Sequence, residues 1–231
     1  IESIRHLTIE ETYELSDAIL EGETEEIRKE LGDILLHIVF YARIAEDKSK
    51  FNIKDVIDGL IEKLVRRHPH VYGETKAENE EAVKKNWEQI KQQENKGKTF
   101  TSVLAGVPVS LPSLIKSQRI QEKARGVGFD WENKAQVWEK VKEELEEFGS
   151  IPQEVEEKEK LSDEFGDILF SLINYARFLD INPEEALERT NKKFIRRFQY
   201  LEKAAIKQNR KLGEMTLAEM DQLWNEAKTT D

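Results

Sequence analysis

The chain repeats itself once, and this duplication limits the folds that are open to it. Gly32-Asp33-Ile34-Leu35 recurs as Gly166-Asp167-Ile168-Leu169, and Tyr41-Ala42-Arg43 recurs as Tyr175-Ala176-Arg177. Other motifs recur in the same order: Glu10-Glu11-x-x-Glu14 as Glu143-Glu144-x-x-Glu147, Lys63-x-x-Arg66-Arg67 as Lys193-x-x-Arg196-Arg197, and Trp87-x-x-x-Lys91 as Trp224-x-x-x-Lys228. A repeat this long indicates a duplicated domain and not a solenoid of short units.

Both halves have the spacing of amphipathic helices. Apolar residues recur at intervals of three and four, no convincing strand pattern occurs, and Gly and Pro are sparse at 11 and 5. The sequence predicts an all-α protein with helices over 2–20, 24–48, 53–68, 78–95, 113–125, 133–149, 154–180, 183–209 and 216–229. Gly97, Gly106, Pro108 and Pro112 mark the best linker. We therefore predict domains at 1–96 and 113–231, joined by the linker 97–112.

Charge and composition exclude several classes of function. With 36 Lys and Arg against 47 Asp and Glu, the net charge is −11, which disfavours nucleic acids and anionic membranes as partners. Cysteine is absent, so disulfides, thiolate metal sites and cysteine catalysis are ruled out. The most apolar run, 34–45, is too short to cross a bilayer. The first residues show no signal-peptide pattern, so the expected location is the cytoplasm.

Carboxylates interrupt the apolar faces of the helices in both halves. Glu11 and Glu14 share a helical stripe with Ile4, Leu7 and Ala18, and Glu30 and Asp33 lie one turn apart on the next helix. In the second half, Glu144 and Glu164 stand between apolar residues in the same way. Converging carboxylates would repel and would be costly to desolvate, and a divalent cation resolves both problems. An all-oxygen ligand set favours Mg²⁺, with Mn²⁺ as a substitute.

Basic and aromatic residues complete a candidate substrate site. Lys63 and Arg67 are four residues apart, as are Lys193 and Arg197, and together with Mg²⁺ they suit a polyphosphate. Trp87 and Trp224 either stack on a base or belong to the core, and each has a lysine one turn on. A solvated acidic face is the structural alternative, and a di-iron site is disfavoured because no Glu-x-x-His occurs on the acidic helices.

These motifs resemble the MazG family across essentially the whole chain. The segments that carry the resemblance are Glu10–Glu14, Glu30–Asp33 and Lys63–Val71 in the first half, and Val127–Trp131, Glu143–Glu147, Glu164–Asp167 and Asn191–Phe194 in the second. The resemblance implies two tandem four-helix-type domains, a helical bundle, in a homodimer. It also implies Mg²⁺-dependent hydrolysis of nucleoside triphosphates to monophosphate and pyrophosphate, with broad base choice and a role in cleansing the nucleotide pool.

The resemblance also assigns roles residue by residue. It places metal ligation on Glu144, Glu147, Glu164 and Asp167, and nucleotide contacts on Lys140, Lys160, Lys193, Arg197, Trp224 and Lys228. The matching first-half positions are Glu11, Glu14, Glu30, Asp33, Lys63, Arg67, Trp87 and Lys91. Glu143, beside the ligands, is the hypothesised base. Leu7 and Glu26 replace Lys140 and Lys160 in the first half, so we predict that the second half carries most of the activity.

Two other functions remain open on the sequence. A narrower pyrophosphatase that acts on dUTP or phosphoribosyl-ATP would use similar acids. A non-enzymatic helical interaction module would show no metal-dependent turnover and no stabilisation by metal.

Overall fold

A computed structural model describes residues 1–72, 102–152 and 157–229, with the exception of the side chain of residue 70. The chain divides into two compact units, Ile1–Gly97 and Lys98–Asp231. No strand occurs in the described ranges, so the all-α prediction is confirmed for these parts of the chain. None of the helices in these ranges is long and apolar enough to cross a membrane.

The first unit is built on a helical hairpin. Helix α1 spans Arg5–Glu21 and helix α2 spans Thr24–Asp47. Gly22 ends α1 with φ of 73°, a left-handed conformation that glycine adopts without a steric penalty. The short connection turns the chain back, so α1 and α2 pack against each other. Helix α3, Ile53–Arg67, contacts α2 and is followed by one helical turn at Pro69–Tyr72.

The second unit contains five long helices in the described residues. These are α4 (Ser113–Arg125), α5 (Lys134–Ser150), α6 (Lys158–Phe178), α7 (Pro183–Lys207) and α8 (Leu217–Lys228). Helices α5 and α6 pack along each other, as do α7 and α8. Helix α4 lies against α6, and both α4 and α6 also contact α7.

Side-chain caps explain where several of these helices begin. Asn133 accepts hydrogen bonds from the backbone N–H groups of the first turn of α5, and Asn182 does the same for α7, where Pro183 follows. Asn52 with Asp55, and Thr216 with Glu219, form reciprocal capping boxes. The helices predicted from sequence are therefore confirmed to within a few residues, while the predicted helix 78–95 lies outside the described residues.

The core is small for the amount of apolar surface in the chain. Val137 and Val141 of α5 are the largest side chains that are entirely buried in the described residues. In the second unit Leu201, Ala205, Met215 and Leu223 form a cluster between α7 and α8. In contrast, apolar residues along α2 and α3 stay exposed, among them Leu35 at 58% and Ile61 at 52%.

Candidate active site

Three carboxylates of the second unit converge between α5 and α6. Glu144 of α5 and Glu164 and Asp167 of α6 each offer an oxygen within 4.8 Å of the others. The alternation of apolar and acidic positions produces this geometry, because the buried Val141 and Ile168 point the neighbouring acids into the same interface. Glu144 is buried, Glu164 is half-buried and Asp167 is exposed, so the cluster opens toward solvent.

Lys140 supplies positive charge to this cluster. Its Nζ lies 2.7 Å from Glu143 Oε1 and 2.8 Å from Glu144 Oε1, one turn along the same helix. These hydrogen bonds, first to Glu143 and then to Glu144, raise the pKa of the Lys140 ammonium. Lys140 is therefore charged at neutral pH and neutralises part of the acidic cluster.

The first unit has an acidic cluster of its own. Glu11 and Glu14 of α1 and Glu30 of α2 bring their oxygens within 4.8 Å of one another. Glu30 is buried, and Lys29 donates a hydrogen bond of 3.0 Å to its Oε1. The second oxygen, Oε2, is buried and has no hydrogen-bond partner. Ionised carboxylates have no hydrogen to donate, so Glu11 and Glu14 cannot satisfy Oε2 while they carry charge.

The pKa values of the acids in the first cluster shift in opposite directions. The hydrogen bond from Lys29 lowers the pKa of Glu30, although burial opposes this effect. Partial removal from water raises the pKa of Glu11 and of Glu14, and the negative charge of neighbouring acids raises both further. Among these charges, the largest effect comes from Asp33 for Glu11 and from Glu30 for Glu14. The cluster therefore carries an excess of negative charge that a cation would relieve.

These residues fit a hard divalent cation. Each cluster offers three carboxylates with no sulfur or imidazole, which is the donor set of Mg²⁺ or Mn²⁺. The unsatisfied Glu30 Oε2 is an acceptor that a cation would fill. Asp33 and Glu147, which the sequence also assigned to metal ligation, are not members of the two groups within the described residues.

Aromatic and basic side chains meet at the α7–α8 hairpin. The Arg197 guanidinium lies over the Trp224 ring, 5.7 Å from its centroid, and Phe194 packs against the same ring at 5.0 Å. Trp224 is half-buried and also packs against the Leu201 cluster, so it is partly core and partly a surface platform. The core interpretation of Trp224 therefore describes part of its environment, while stacking on a base stays a prediction.

The remaining predicted site residues are spread over the two units. Lys160, Lys193 and Lys228 are exposed on α6, α7 and α8, and the Lys228 ammonium donates a hydrogen bond to Asn225 Oδ1 at 2.9 Å. Lys63 is exposed and Arg67 half-buried near the end of α3. Trp87 and Lys91 lie outside the described residues.

Comparison with known proteins decides the family. The model of the MazG nucleotide pyrophosphohydrolase domain matches residues 1–72 and 133–201, which include both acidic clusters. The chain belongs to the MazG family. Its two matched segments correspond to the two halves of the internal repeat, so the duplication is a duplication of MazG domains.

Relatives of this MazG chain extend the match to nearly its full length. The nucleoside triphosphate pyrophosphohydrolase/pyrophosphatase MazG of Thermotoga maritima is 43% identical over 230 residues, which is 100% of this chain and 87% of the relative. The nucleoside triphosphate pyrophosphohydrolase of Escherichia coli is 40% identical over 98% of this chain and 86% of its own. YabN of Bacillus subtilis, which is uncharacterised, is 50% identical over 100% of this chain and 47% of its own.

Sequence reasoning missed two ionic contacts of this MazG chain. Lys29 Nζ forms ion pairs with Glu30 Oε1 at 3.0 Å and with Glu26 Oε2 at 3.4 Å. Because Glu26 and Lys29 are three residues apart on one helix, their pairing is recognisable from the sequence. Arg177 donates two hydrogen bonds to Asp130, one of them at 2.9 Å, and so fixes the loop before α5 onto the end of α6. Nothing in the local sequence signals this second pair, because its members are far apart along the chain.

Proposed function

We propose that this MazG-family protein hydrolyses nucleoside triphosphates to nucleoside monophosphate and pyrophosphate, with the main site in the second unit. The observation that carries the proposal is the convergence of Glu144, Glu164 and Asp167 between α5 and α6. The relatives named nucleoside triphosphate pyrophosphohydrolase support the reaction. Broad base choice, a role in cleansing the nucleotide pool and a cytoplasmic location, where these substrates are made, complete the proposal.

In the proposed mechanism, acidic residues of the second unit would bind the metal ion. Glu144, Glu164 and Asp167, with Glu147 nearby on α5, would hold Mg²⁺ or Mn²⁺. Such an ion, when bound, coordinates phosphate oxygens and lowers the pKa of a water molecule.

The chain's other residues would bind the substrate and move the proton. Lys140, Lys160, Lys193 and Arg197 offset the charge of the triphosphate, while Trp224 and Lys228 contact the nucleoside end. Glu143 accepts the proton of the attacking water, which adds to the α-phosphorus as pyrophosphate leaves.

The first unit carries the same acids with a different set of cations. Glu11, Glu14, Glu30 and Asp33 form its proposed metal site, with Lys63, Arg67, Trp87 and Lys91 as the matching nucleotide positions. Leu7 and Glu26 stand where the second unit has Lys140 and Lys160, so fewer positive charges surround a phosphate there. We therefore assign the first unit the smaller share of turnover.

Replacement of a single metal ligand tests the proposal. Glu144→Gln keeps the shape of the side chain but removes the charge, and we expect it to abolish most Mg²⁺-dependent release of pyrophosphate. Glu139→Gln is the matched control on the same helix, because Glu139 is exposed and pairs with Lys142. Near-normal turnover by Glu144→Gln, in a chain that also carries Glu11→Gln, would contradict the assignment.

Product analysis separates the reaction from its alternatives. Each NTP and dNTP is incubated with the protein and Mg²⁺, and we expect monophosphate and pyrophosphate from most of them. Diphosphate and orthophosphate as products would overturn the proposal. Turnover confined to dUTP or phosphoribosyl-ATP would replace it with the narrower pyrophosphatase, and no turnover at all would favour the helical interaction module.

We propose that the protein acts as a homodimer. Leu35 of α2 and Ile61 of α3 are more than half exposed, and Phe194 and Ile195 of α7 are exposed to a similar extent. Large exposed apolar patches are uncommon on monomers and are usual at obligate interfaces, so these exposed residues support the proposal. A second copy of the chain presents the same faces and could cover them symmetrically.

A further inference from the structure

We propose that Lys140 is an internal counter-ion of the second acidic cluster, which a divalent cation displaces from Glu144 when it binds. The displaced ammonium then becomes available to the phosphates of the substrate. This inference rests on the proposed function, since it assumes that Glu144 is a metal ligand. It goes further because it predicts that the loss of one positive charge strengthens metal binding and weakens the cooperation between metal and nucleotide.

The ion pair between Lys140 and Glu144 compensates a buried negative charge. The Glu144 side chain is only 8% exposed, and a buried carboxylate without compensating charge is costly. Lys140 Nζ supplies that charge at 2.8 Å from Glu144 Oε1. Glu144 therefore has a positive partner at its place in the cluster before any metal arrives.

A dication and the ammonium would compete for the same carboxylate. An ion coordinated by Glu144 would lie a few ångströms from Lys140 Nζ, where two like charges in a partly buried site repel strongly. Glu164 and Asp167 add negative charge that favours the dication, because it gains from all three acids at once. Binding of the metal should therefore weaken or break the contact between Lys140 and Glu144.

Glu143 gives the displaced ammonium another position. It is exposed, lies next to Glu144 in the sequence and already accepts a hydrogen bond of 2.7 Å from Lys140. The lysine stem is flexible and its side chain is 34% exposed, so Nζ can leave Glu144 without any movement of α5. From that position it faces solvent, where a triphosphate on the metal would approach.

The first unit pairs its buried acid with a lysine at a different position. Leu7 takes the place of Lys140 on α1, and the buried acid Glu30 is paired instead with Lys29, its neighbour on α2. Lys29 also lies 3.4 Å from Glu26. A lysine one helical turn before the buried acid is therefore found at the second cluster and not at the first, so replacement of Lys140 alone probes the second cluster.

Manganese binding without turnover tests the inference. The full chain carries Glu11→Gln and Glu14→Gln to silence the first cluster, and free Mn²⁺ is followed by electron paramagnetic resonance. We expect Lys140→Met and Lys140→Gln to bind Mn²⁺ roughly tenfold more tightly than the parent, because a competing charge is gone. Lys142→Met is the control, since Lys142 pairs with Glu139 outside the cluster, and it should leave the affinity unchanged.

A second titration measures whether the displaced Lys140 ammonium interacts with the phosphates of a bound nucleotide. With α,β-methylene-ATP present, the parent should bind Mn²⁺ several-fold more tightly than without it, and the Lys140 variants should show a smaller gain. Equal or weaker Mn²⁺ affinity in both Lys140 variants would overturn the inference while leaving the proposed function intact. Failure of the parent to bind Mn²⁺, or unchanged binding in Glu144→Gln, would overturn both.

Discussion

At the scale of single residues, two glutamates of the acidic clusters are buried and paired with lysines. Glu30 is 4% exposed and Glu144 is 6% exposed, and each has a lysine on one of its oxygens. They are not equivalent in the repeat, because Glu30 corresponds to Glu164, and Glu144 corresponds to Glu11. The duplicated acids are therefore the same in type, while the member that is withdrawn from water differs between the two units.

A change at Glu14 should reveal what the charge of this residue costs the folded first unit. The pKa of Glu14 is raised by partial removal from water and by the charge of Glu30. A carboxyl whose pKa is higher in the folded state costs stability above that pKa, and the cost vanishes as the pH falls below its ordinary value of 4.5. Glu14→Gln should therefore raise the melting temperature at pH 7 in the presence of EDTA, with the gain fading near pH 4.

Calorimetry with and without Mn²⁺ checks this expectation. Glu25→Gln is the control, because Glu25 lies outside the cluster and pairs with Arg28. Added Mn²⁺ should stabilise the parent more than the Glu14 variant, because a ligand has been removed. A melting temperature that is unchanged or lowered by Glu14→Gln at pH 7 would refute the expectation that the Glu14 charge destabilises the fold.

At the scale of elements, the start of α8 shows how a short helix is held in place. Thr216 and Glu219 form the capping box, and Arg210 donates a hydrogen bond of 2.7 Å to Glu219 from the segment after α7. These contacts join the two helices whose apolar residues surround Trp224. The position of Trp224, the proposed nucleotide contact, thus depends on the polar contacts among Arg210, Thr216 and Glu219 at one end of the α7–α8 hairpin.

The capping threonine should account for a measurable part of the stability. Thr216→Ala removes an acceptor for the Glu219 backbone N–H, and such a loss costs about 1 kcal/mol. Urea unfolding of the parent and the variant gives this difference directly. Thr216→Ser, which retains the hydroxyl, should recover most of it, and equal losses in both variants would exclude capping as the cause.

The acid of the same capping box should give a distinct dependence on pH. Arg210, and then the backbone and hydroxyl of Thr216, lower the pKa of Glu219 to about 2 from 4.5. A lowered pKa in the folded state stabilises the protein above the ordinary value, and this stabilisation is lost as the pH falls toward 2. Glu219→Gln should lower the melting temperature at pH 7, and the difference from the parent should shrink between pH 4.5 and 2. A difference that is constant over this range would contradict the assignment.

At the scale of the whole molecule, unburied apolar surface is the dominant feature. The helices of the described residues expose apolar side chains in both units, while few large ones are fully covered. A four-helix bundle buries an apolar stripe of each helix against its neighbours, and the first unit supplies only α1, α2 and α3 among its described long helices. The exposed apolar residues of the described helices support the proposal that two copies assemble.

A charge placed on the exposed apolar face should disrupt that assembly. Leu35→Lys puts an ammonium on α2 at a position that is 58% exposed, so it should not disturb the fold of a monomer. We expect the parent to sediment with twice its mass of 27.0 kDa and the variant to shift toward one mass. Glu25→Lys, on the polar side of α2, serves as the control, and a parent that sediments as a monomer would overturn the proposal.

Much of the fold was predictable because the signals that specify it are local. The limits of α4, Ser113–Arg125, follow from Pro112 and Gly126, and the start of α7 follows from Asn182 and Pro183. Capping, periodicity and glycine act within a few residues, so they can be seen in one sequence without any knowledge of partners. The grouping of the acids was less predictable, because spacing alone does not tell which oxygens come within 4.8 Å of one another. Glu14 is a member of the first group while its counterpart Glu147 is not a member of the second, and Asp167 is a member while Asp33 is not.

The sequence by itself determined the all-α class, the duplication, the family and the acids that recur, because these depend on residue type and spacing. Only the tertiary structure decided which acids are buried, so that the lysine contacts of Lys140 and Lys29 fall on buried carboxylates, and that Asp130 is held by Arg177. Burial and ion pairing depend on how helices pack and on how a flexible side chain reaches across a turn. An acid at the same position of the repeat can therefore be accessible to water in one unit and buried against a lysine in the other.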